Sequence, residues 1–427
     1  MKYKKYPIGP YNLHIINTDK FKTITIFFNF KRKIVKEEIT YRNILRDILF
    51  QSSKKYPTSR LLNMEIQELY DIKLENRLHH SGHYSMISFS GQFLHEKYTE
   101  EGMIDKSIAF LCELIFTPNV SNRKFDSQTF INSKNHIKEK LESYKEDLKN
   151  YSFQRMFEVM DEKSVISYRP IGYLEDLEKI NESNLYKYYE NVIKSDLLDI
   201  FVIGDVDNTK IKNMIMEKVP VNTLKKPSKS HYVTHKHYRK RARKVIEDDD
   251  INQSRLVMGC KLDKLTDFEK KYVGAVYSFI LGGGPDSKLF KTVREKHSLC
   301  YSVNSNIRTI SNLLIIYAGI DSKDFEKAEK LIRKEMKNIE NGKFTEEDIE
   351  KAKLTYYNSC KEILDSPYNI INTYVSYEYL GMDLLEERMK EINKVTKDMV
   401  IKFSKKVHLD TIYLLKGDSL DAEKNTP

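Results

Sequence analysis

The chain alternates between strand-like and helix-like patterns of hydrophobic residues, and the same order of patterns occurs twice. Each half contains a β-rich apolar run, a helical pattern, a short segment that begins with Ser and a basic residue, and a strand-like stretch. In the first half they lie at residues 24–30, 41–50, 59–62 and up to residue 93. In the second half they lie at residues 256–260, 272–281, 287–290 and 300–320. The shared order predicts an internal repeat.

The later elements of the two halves also correspond. A long charged helix is predicted at residues 129–150 and again at residues 346–364. The second of these opens with Thr345-Glu-Glu-Asp, a capping signal for a helix start. Asn181 and Thr396 are placed to cap a later helix in their respective halves. The repeat therefore extends over most of the chain.

These patterns predict an α+β fold made of two similar domains. We place the first domain at residues 1–206 and the second at residues 246–427, with residues 207–245 as a linker. Strands are interspersed with longer helices in each domain, so helices are expected to cover one face of each sheet.

The positive charge of the chain is concentrated in one segment. Residues 225–244 contain nine Lys and Arg residues and no acid, whereas the whole chain has a net charge of +10. The rest of the chain is therefore close to neutral. A basic stripe can bind phosphates, but a local run of charge is more typical of a solvated linker. We do not expect nucleic-acid binding.

Cysteine usage and hydropathy indicate a protein of a reducing compartment. The four cysteines lack CxxC spacing, which argues against a disulfide framework or a zinc ribbon. No apolar run approaches the ~20 residues that a membrane-spanning helix needs. The N-terminus lacks the apolar core of a secretory signal. We therefore expect a cytoplasmic protein that does not cross a membrane.

The segment 281–302 carries a specific resemblance. It reads Leu-Gly-Gly-Gly-Pro-Asp-Ser-Lys-Leu-Phe, then Lys-Thr-Val-Arg-Glu-Lys-His-Ser-Leu-Cys and Tyr-Ser. This resembles the second-domain signature of the pitrilysin/insulinase (M16) family of zinc peptidases, with its Leu-Gly-Gly, Ser-Arg/Lys-Leu-Phe, Arg-Glu-Lys and Ala/Cys-Tyr-Ser steps. The resemblance implies two homologous domains, each a mainly antiparallel sheet packed by helices, as in mitochondrial processing peptidase.

The position of the family's zinc motif is altered in this chain. Active members carry His-x-x-Glu-His, in which two His bind zinc and the Glu polarises water. The matching segment is Asn43-Ile-Leu-Arg-Asp, so Asn43 and Asp47 replace the two His and Arg46 replaces the Glu. The third family ligand, a Glu on the long helix, falls near Lys140. Arg46 cannot act as a base and repels a dication.

The resemblance therefore implies no metal in this chain. We hypothesise that ion pairs among Asp47, Arg46 and Lys140 fill the space. Two histidine-rich stretches, at residues 79–83 and 231–237, are the alternative metal positions. Neither has a carboxylate at motif spacing, and we interpret the first as a polar strand facing a cavity or a partner.

The second half keeps the residues that match the family's Arg/Tyr pair, Arg294 and Tyr301. In the family, a guanidinium and a phenol at these places hydrogen-bond the substrate carbonyl and the developing oxyanion. The alternative is a pair without a functional role, in which a surface Arg lies beside a half-buried Tyr on a strand. An Arg/Tyr pair without a zinc motif resembles the non-catalytic subunits of bacterial M16 heterodimers.

That resemblance implies a chain that is inactive alone and acts in peptide hydrolysis. Its partner would be a homologous subunit that carries His-x-x-Glu-His and the zinc ion, and its substrate a peptide. The alternative is a purely structural or peptide-binding M16-like protein without a role in proteolysis.

Overall fold

The computed structural model of the chain describes residues 1–220, 231–235 and 237–417. In its first part, strands β1–β8 are Lys2–Ile8, Tyr11–Asn17, Thr23–Lys33, Lys73–Ser81, Tyr84–Leu94, Val120–Ser121, Lys124–Phe125 and Leu197–Gly204. Helices α1–α8 are Ile39–Ile48, Ser59–Glu68, Met103–Phe116, Ser127–Glu142, Leu148–Met160, Leu174–Leu177, Glu182–Ser195 and Asn208–Lys218.

The second part contains strands β9–β13 and helices α9–α14. The strands are Arg243–Asp248, Ser254–Leu262, Cys300–Arg308, Leu313–Ile320 and Val407–Lys416. The α-helices are Gly274–Gly282, Phe325–Glu340, Glu346–Ile363, Pro367–Leu380, Leu385–Glu391 and Lys397–Ser404. Two π-helices, Glu269–Val273 and Phe290–Lys296, interrupt the α-helical pattern.

The order of strands repeats between the two main sheets. The first sheet has the order β1-β2-β8-β3-β5-β4 and the second has the order β11-β12-β10-β13-β9. Read from its other end, the second sheet repeats the last five strands of the first. Each sheet is antiparallel except for one parallel pair, β2 with β8 and β9 with β13. The predicted α+β class with mainly antiparallel sheets is confirmed.

The described residues form two compact units, and each unit draws on both halves of the sequence. The first unit contains residues 1–143, 169–220 and 367–372, and the second contains the other described residues. Residues 144–168, which include α5, therefore belong to the second unit although they lie within the predicted first domain. Helix α8 lies in the predicted linker, yet it buries Ile211 and Ile215 in the core of the first unit.

Capping side chains set the starts of several helices. Asn181 accepts hydrogen bonds from the main chain of Ser183 and Asn184 at the start of α7, and Thr345 forms a capping box at the start of α11. The charged helix expected at residues 129–150 is divided into α4 and α5. The division occurs at Asp147, whose side chain accepts a hydrogen bond from the main-chain N–H of Asn150 and so caps the start of α5.

The helices cover one face of each sheet with a continuous apolar core. In the first unit this core includes Leu13, Ile26, Phe28, Ile87, Leu111 and Val202. In the second it includes Leu256, Met258, Leu314, Ile332, Phe403 and Ile412. The opposite face of the second sheet is also covered, because α5 packs Met156 and Met160 against it. The helix lies close to the strand at Gly259, where a Cβ would lie 2.4 Å from Met160 Cε.

Part of the basic segment is neutralised inside the second unit. Arg239 and Arg243 donate to the main-chain oxygens of Met160 and Val159, at the carboxyl end of α5, where cations are favoured. Arg239 also pairs with a buried carboxylate of β13, and Lys244 pairs with two carboxylates of α10. Four basic residues of this segment lie outside the described residues: Lys225, Lys226, Lys229 and Lys236.

Within the described ranges, no helix combines the length and apolar character needed to cross a membrane. All four cysteines are free thiols, and three of them are buried.

Candidate functional site

The three residues predicted to match the zinc motif lie on α1, in the first unit. Asn43 is 2% exposed. Its side-chain amide donates to the main-chain oxygens of Ile39, at 3.2 Å, and Pro170, at 2.9 Å. Asn43 therefore joins α1 to the chain segment before α6.

Arg46 makes its hydrogen bonds to neutral groups. Its Nε donates to Asn43 Oδ1 at 3.3 Å and its Nη1 donates to Asn76 Oδ1, on strand β4, at 3.2 Å. Burial lowers the pKa of the guanidinium, and the nearby carboxylate of Asp47 offsets part of this effect. The group remains cationic at any physiological pH.

Asp47 is held by residues that the sequence analysis did not include. Its Oδ1 lies 2.8 Å from Nδ1 of His136, on α4, and its Oδ2 accepts from Gln51. Gln51 also donates to Ser133, at 2.8 Å. The pairing thus differs from the ion pairs hypothesised among Asp47, Arg46 and Lys140. The signal that could have identified His136 is its position one helical turn before Lys140, which places both on one face of α4.

Lys140 lies close to this group without pairing to it. Partial burial and the positive charge of Arg46 both lower the pKa of the Lys140 ammonium. Two cations, one carboxylate and one imidazole therefore meet at the position predicted to match the family's zinc motif.

This set of side chains does not fit a zinc ion. A catalytic zinc site needs three protein ligands with open lone pairs and one open position. Here Asp47 and His136 form a hydrogen bond with each other, and the Asn43 amide donates to main-chain oxygens. The Arg46 guanidinium has N–H donors but no lone pair that could bind a metal ion. Among the described residues, no group of three or more His, Cys, Asp or Glu side chains is placed to hold a metal ion.

Several histidines of the two histidine-rich stretches are buried or contact other parts of the fold. Burial is the main cause that lowers the pKa of His79 and of His80, on strand β4, to about 4. His231 stacks on Tyr379, with ring centroids 5.4 Å apart, and His235 bonds the main-chain oxygen of Ser311.

Arg294 lies on the π-helix Phe290–Lys296, in the second unit. A π-helix adds a residue per turn and is frequent at functional sites. Thr292, in the same segment, donates to the buried carboxylate of Glu335, on α10, at 3.1 Å. Thr292 and Glu335 were missed from sequence, and they fix the segment that carries Arg294.

Tyr301 is displaced outward by a β-bulge at the start of β11. In the pairing of β11 with β12, Cys300 is opposite Ile320 and Ser302 is opposite Gly319, so Tyr301 is the extra residue. Bulges of this kind redirect a side chain. Tyr301 is 78% exposed, which differs from the half-buried alternative considered above.

The two side chains lie beside each other. The Arg294 guanidinium carbon is 5.3 Å from the ring centroid of Tyr301 and 4.5 Å from that of Phe290. Within the part of the chain that the structure describes, Arg294 forms neither an ion pair nor a hydrogen bond through its side chain. The Arg294 guanidinium and the Tyr301 phenol thus lie side by side, and their N–H and O–H donors are available to a ligand.

Comparison with known proteins shows which proteins the chain resembles. Residues 179–356 match the family model described as "Peptidase M16 inactive domain". Over 415 residues the chain is 29% identical to a Bacillus subtilis protein named "Probable inactive metalloprotease YmfF", covering 96% of both chains. Residues 179–356 therefore correspond to an M16 inactive domain. The chain as a whole is a homologue of a protein named as a probable inactive metalloprotease.

Solved structures share the fold over nearly the whole chain. A conserved protein from Enterococcus faecalis V583 matches with a TM-score of 0.91 and 27% identity, over 97% of this chain and 99% of that one. The M16 inactive domain from Pseudomonas fluorescens matches with a TM-score of 0.79 and 14% identity, over 98% of both chains. The second likeness concerns the fold alone.

Proposed function

We propose that this chain is the non-catalytic subunit of a heterodimeric M16 zinc metalloprotease and supplies the substrate-binding pair Arg294 and Tyr301. Its partner is a homologous subunit that carries His-x-x-Glu-His and the zinc ion. The chain is inactive alone and contributes to peptide hydrolysis in the cytoplasm. The free thiols support a reducing compartment.

The observation that supports this proposal is the exposed pair itself. Two local irregularities, a π-helix and a β-bulge, place Arg294 and Tyr301 side by side at the surface of the second unit. A scaffold has no use for an exposed Tyr next to an Arg that has no acidic partner among the described residues. A site that binds a carbonyl oxygen needs both donors.

The chemistry of the pair suits an oxygen that gains negative charge. The Arg294 guanidinium and the Tyr301 hydroxyl donate to the carbonyl oxygen of the bound peptide, and both bonds strengthen as the carbonyl becomes an oxyanion. Strand β11 is an edge strand of its sheet, so an extended peptide can pair with its main chain beside Tyr301. The zinc ion and the attacking water belong to the partner.

Co-expression with a homologous chain that carries His-x-x-Glu-His tests the proposal. We expect the two chains to elute together in size-exclusion chromatography and to cleave peptides only when both are present. The same partner with its Glu replaced by Gln should co-elute but not cleave. A partner that cleaves equally well without this chain, or that never associates with it, would favour the structural alternative.

A further inference from the structure

The altered zinc position carries a positive charge that the fold does not neutralise. Asn43 and Asn76, the hydrogen-bond partners of Arg46, are both neutral. Nη2 of Arg46 donates no hydrogen bond to any described residue, so its two N–H groups are open to an incoming acceptor. Asn43 and Asn76 hold the rest of the guanidinium in a fixed orientation.

Lys140 differs from the other lysines of α4. Lys134 donates to the main-chain oxygen of Ile180 at 2.7 Å, and Lys138 pairs with Glu142 at 3.7 Å. Lys140 has neither an ion pair nor a hydrogen bond to any residue that the structure describes, and its side chain is exposed. The hydrogen bond between Asp47, the neighbour of Arg46 on α1, and His136, one helical turn before Lys140 on α4, brings the two cations to the same place.

Asp47 supplies one negative charge against the two positive charges of Arg46 and Lys140, so it offsets only part of them. Oδ1 of Asp47 is engaged by His136 and Oδ2 by Gln51. Two open donors on a half-buried guanidinium next to an unpaired ammonium form a site for an anion. The planar fork of a guanidinium matches a carboxylate, and such charge-assisted bonds are the stronger ones.

We propose that Arg46 and Lys140 form a carboxylate-binding site on the first unit, where other family members bind zinc. The carboxylate belongs either to the C-terminus of a peptide or to a free organic acid. Binding places the anion against Nη2 of Arg46 and the Lys140 ammonium. The site needs no partner subunit and no contribution from Arg294 or Tyr301. This proposal can therefore be wrong while the proposed function is right, and the proposed function can be wrong while this proposal is right.

The test is calorimetric titration of the whole chain at low ionic strength with three probes: N-acetyl-dialanine with a free C-terminus, its C-terminal amide, and acetate. We expect the acid to bind about 10- to 100-fold more tightly than the amide, the range expected for charge-assisted hydrogen bonds. Acetate binding as tightly as the peptide acid identifies a free organic acid as the source. Peptide acid binding more tightly than acetate identifies a C-terminus.

Variants show whether the named residues form the site. Arg46→Gln should weaken binding of the acid about 10-fold or more, and Lys140→Ala should weaken it by a smaller factor. Lys138→Ala removes a charge from the same helix without removing a donor from the site, so it should leave binding unchanged. Lys140→Ala alters an exposed side chain and should fold even where Arg46→Gln does not.

The chemical reactivity of Lys140 provides an independent measurement. A bound carboxylate favours the charged ammonium, so it should slow acylation of Lys140 by an amine-reactive reagent and leave Lys138 unaffected, as read by mass spectrometry. Equal binding of acid and amide, no effect of Arg46→Gln and Lys140→Ala, or binding of inorganic phosphate in place of the carboxylate would overturn the proposal.

Discussion

His79 and His80, neighbours on strand β4, are neutral in the folded chain. Burial lowers the pKa of each to about 4, and the positive charges of Arg77 beside His79 and Arg42 beside His80 add to the shift. Exposed histidines titrate near 6.5. Between these values the unfolded chain binds protons that the folded chain does not, so acid favours unfolding.

We therefore expect the free energy of unfolding to fall as the pH drops from about 6.5 towards 4, and not to depend on these histidines above about pH 7. Each histidine lowers the free energy of unfolding over this pH range by on the order of 3 kcal/mol at most. Urea unfolding at about pH 7 and about pH 5 measures the change. This difference between the two pH values should be smaller in His80→Gln than in the unaltered protein. It should be smallest in the double variant His79→Gln, His80→Gln. Identical pH dependence in all three proteins would show that the histidines are not buried neutral.

The resemblance to the family's His-x-x-Glu-His motif directed attention to Asn43, Arg46 and Asp47. It did not indicate the partners that these residues have in the fold. His136 is 89 positions from Asp47, and no periodic pattern links the two. Tyr301 was placed correctly on a strand, but its exposure depends on a bulge, which regular alternation along β11 does not indicate.

At the scale of elements, close packing of α9 against β11 positions the strand that carries Tyr301. A Cβ on Gly282, the last residue of α9, would lie 2.6 Å from the main-chain nitrogen of Ser305. A backbone atom cannot move aside as the end of a flexible side chain can. Gly284, two residues later, has no atom within 4 Å of its Cβ position.

These two glycines form a matched pair for mutation. Gly282→Ala should force α9 and β11 apart and lower the free energy of unfolding by about 1–3 kcal/mol, as overpacking does. Gly284→Ala should change it by less than about 0.5 kcal/mol. Thermal and urea unfolding measure both. Equal stability of the two variants would contradict the close approach.

At the scale of the whole molecule, α5 belongs to the second unit although it lies in the first half of the sequence. Its residues Met156, Phe157 and Met160 pack against Ile315 and Tyr413 of the second sheet. Residues 367–372, from the second half, belong to the first unit. Each unit is therefore completed by a segment from the other half.

This exchange predicts that the halves assemble as separate chains. Residues 1–220 and 231–427, expressed together as two polypeptides, should co-purify. Residues 1–220 alone should bind a hydrophobic dye, because α5 then lacks the sheet on which it packs. Met160→Asp, which places a charge in that contact, should reduce co-purification. Asn150→Ala, an exposed change on the same helix, should not. Two fragments that each fold cooperatively and ignore one another would contradict the exchange.

The repeated order of strands was predictable from sequence because the elements recur in the same order in both halves. The position of α5 was not, for a physical reason. An apolar face on a helix shows that the helix is buried, but both sheets offer an apolar surface of the same kind. The resemblance in segment 281–302 identified the family because several residue types match there in register.

The most direct measurement of the central claim is the turnover of a co-purified pair that contains Tyr301→Phe or Arg294→Ala. If these groups stabilise the oxyanion, each change should lower kcat by about 10²–10³ and change KM much less. Tyr98→Phe and Arg123→Ala change exposed residues of the same types and should leave kcat unaltered. Each pair is checked for intact assembly by size-exclusion chromatography. Near-normal kcat in both Tyr301→Phe and Arg294→Ala would contradict the account and leave this chain with a structural role.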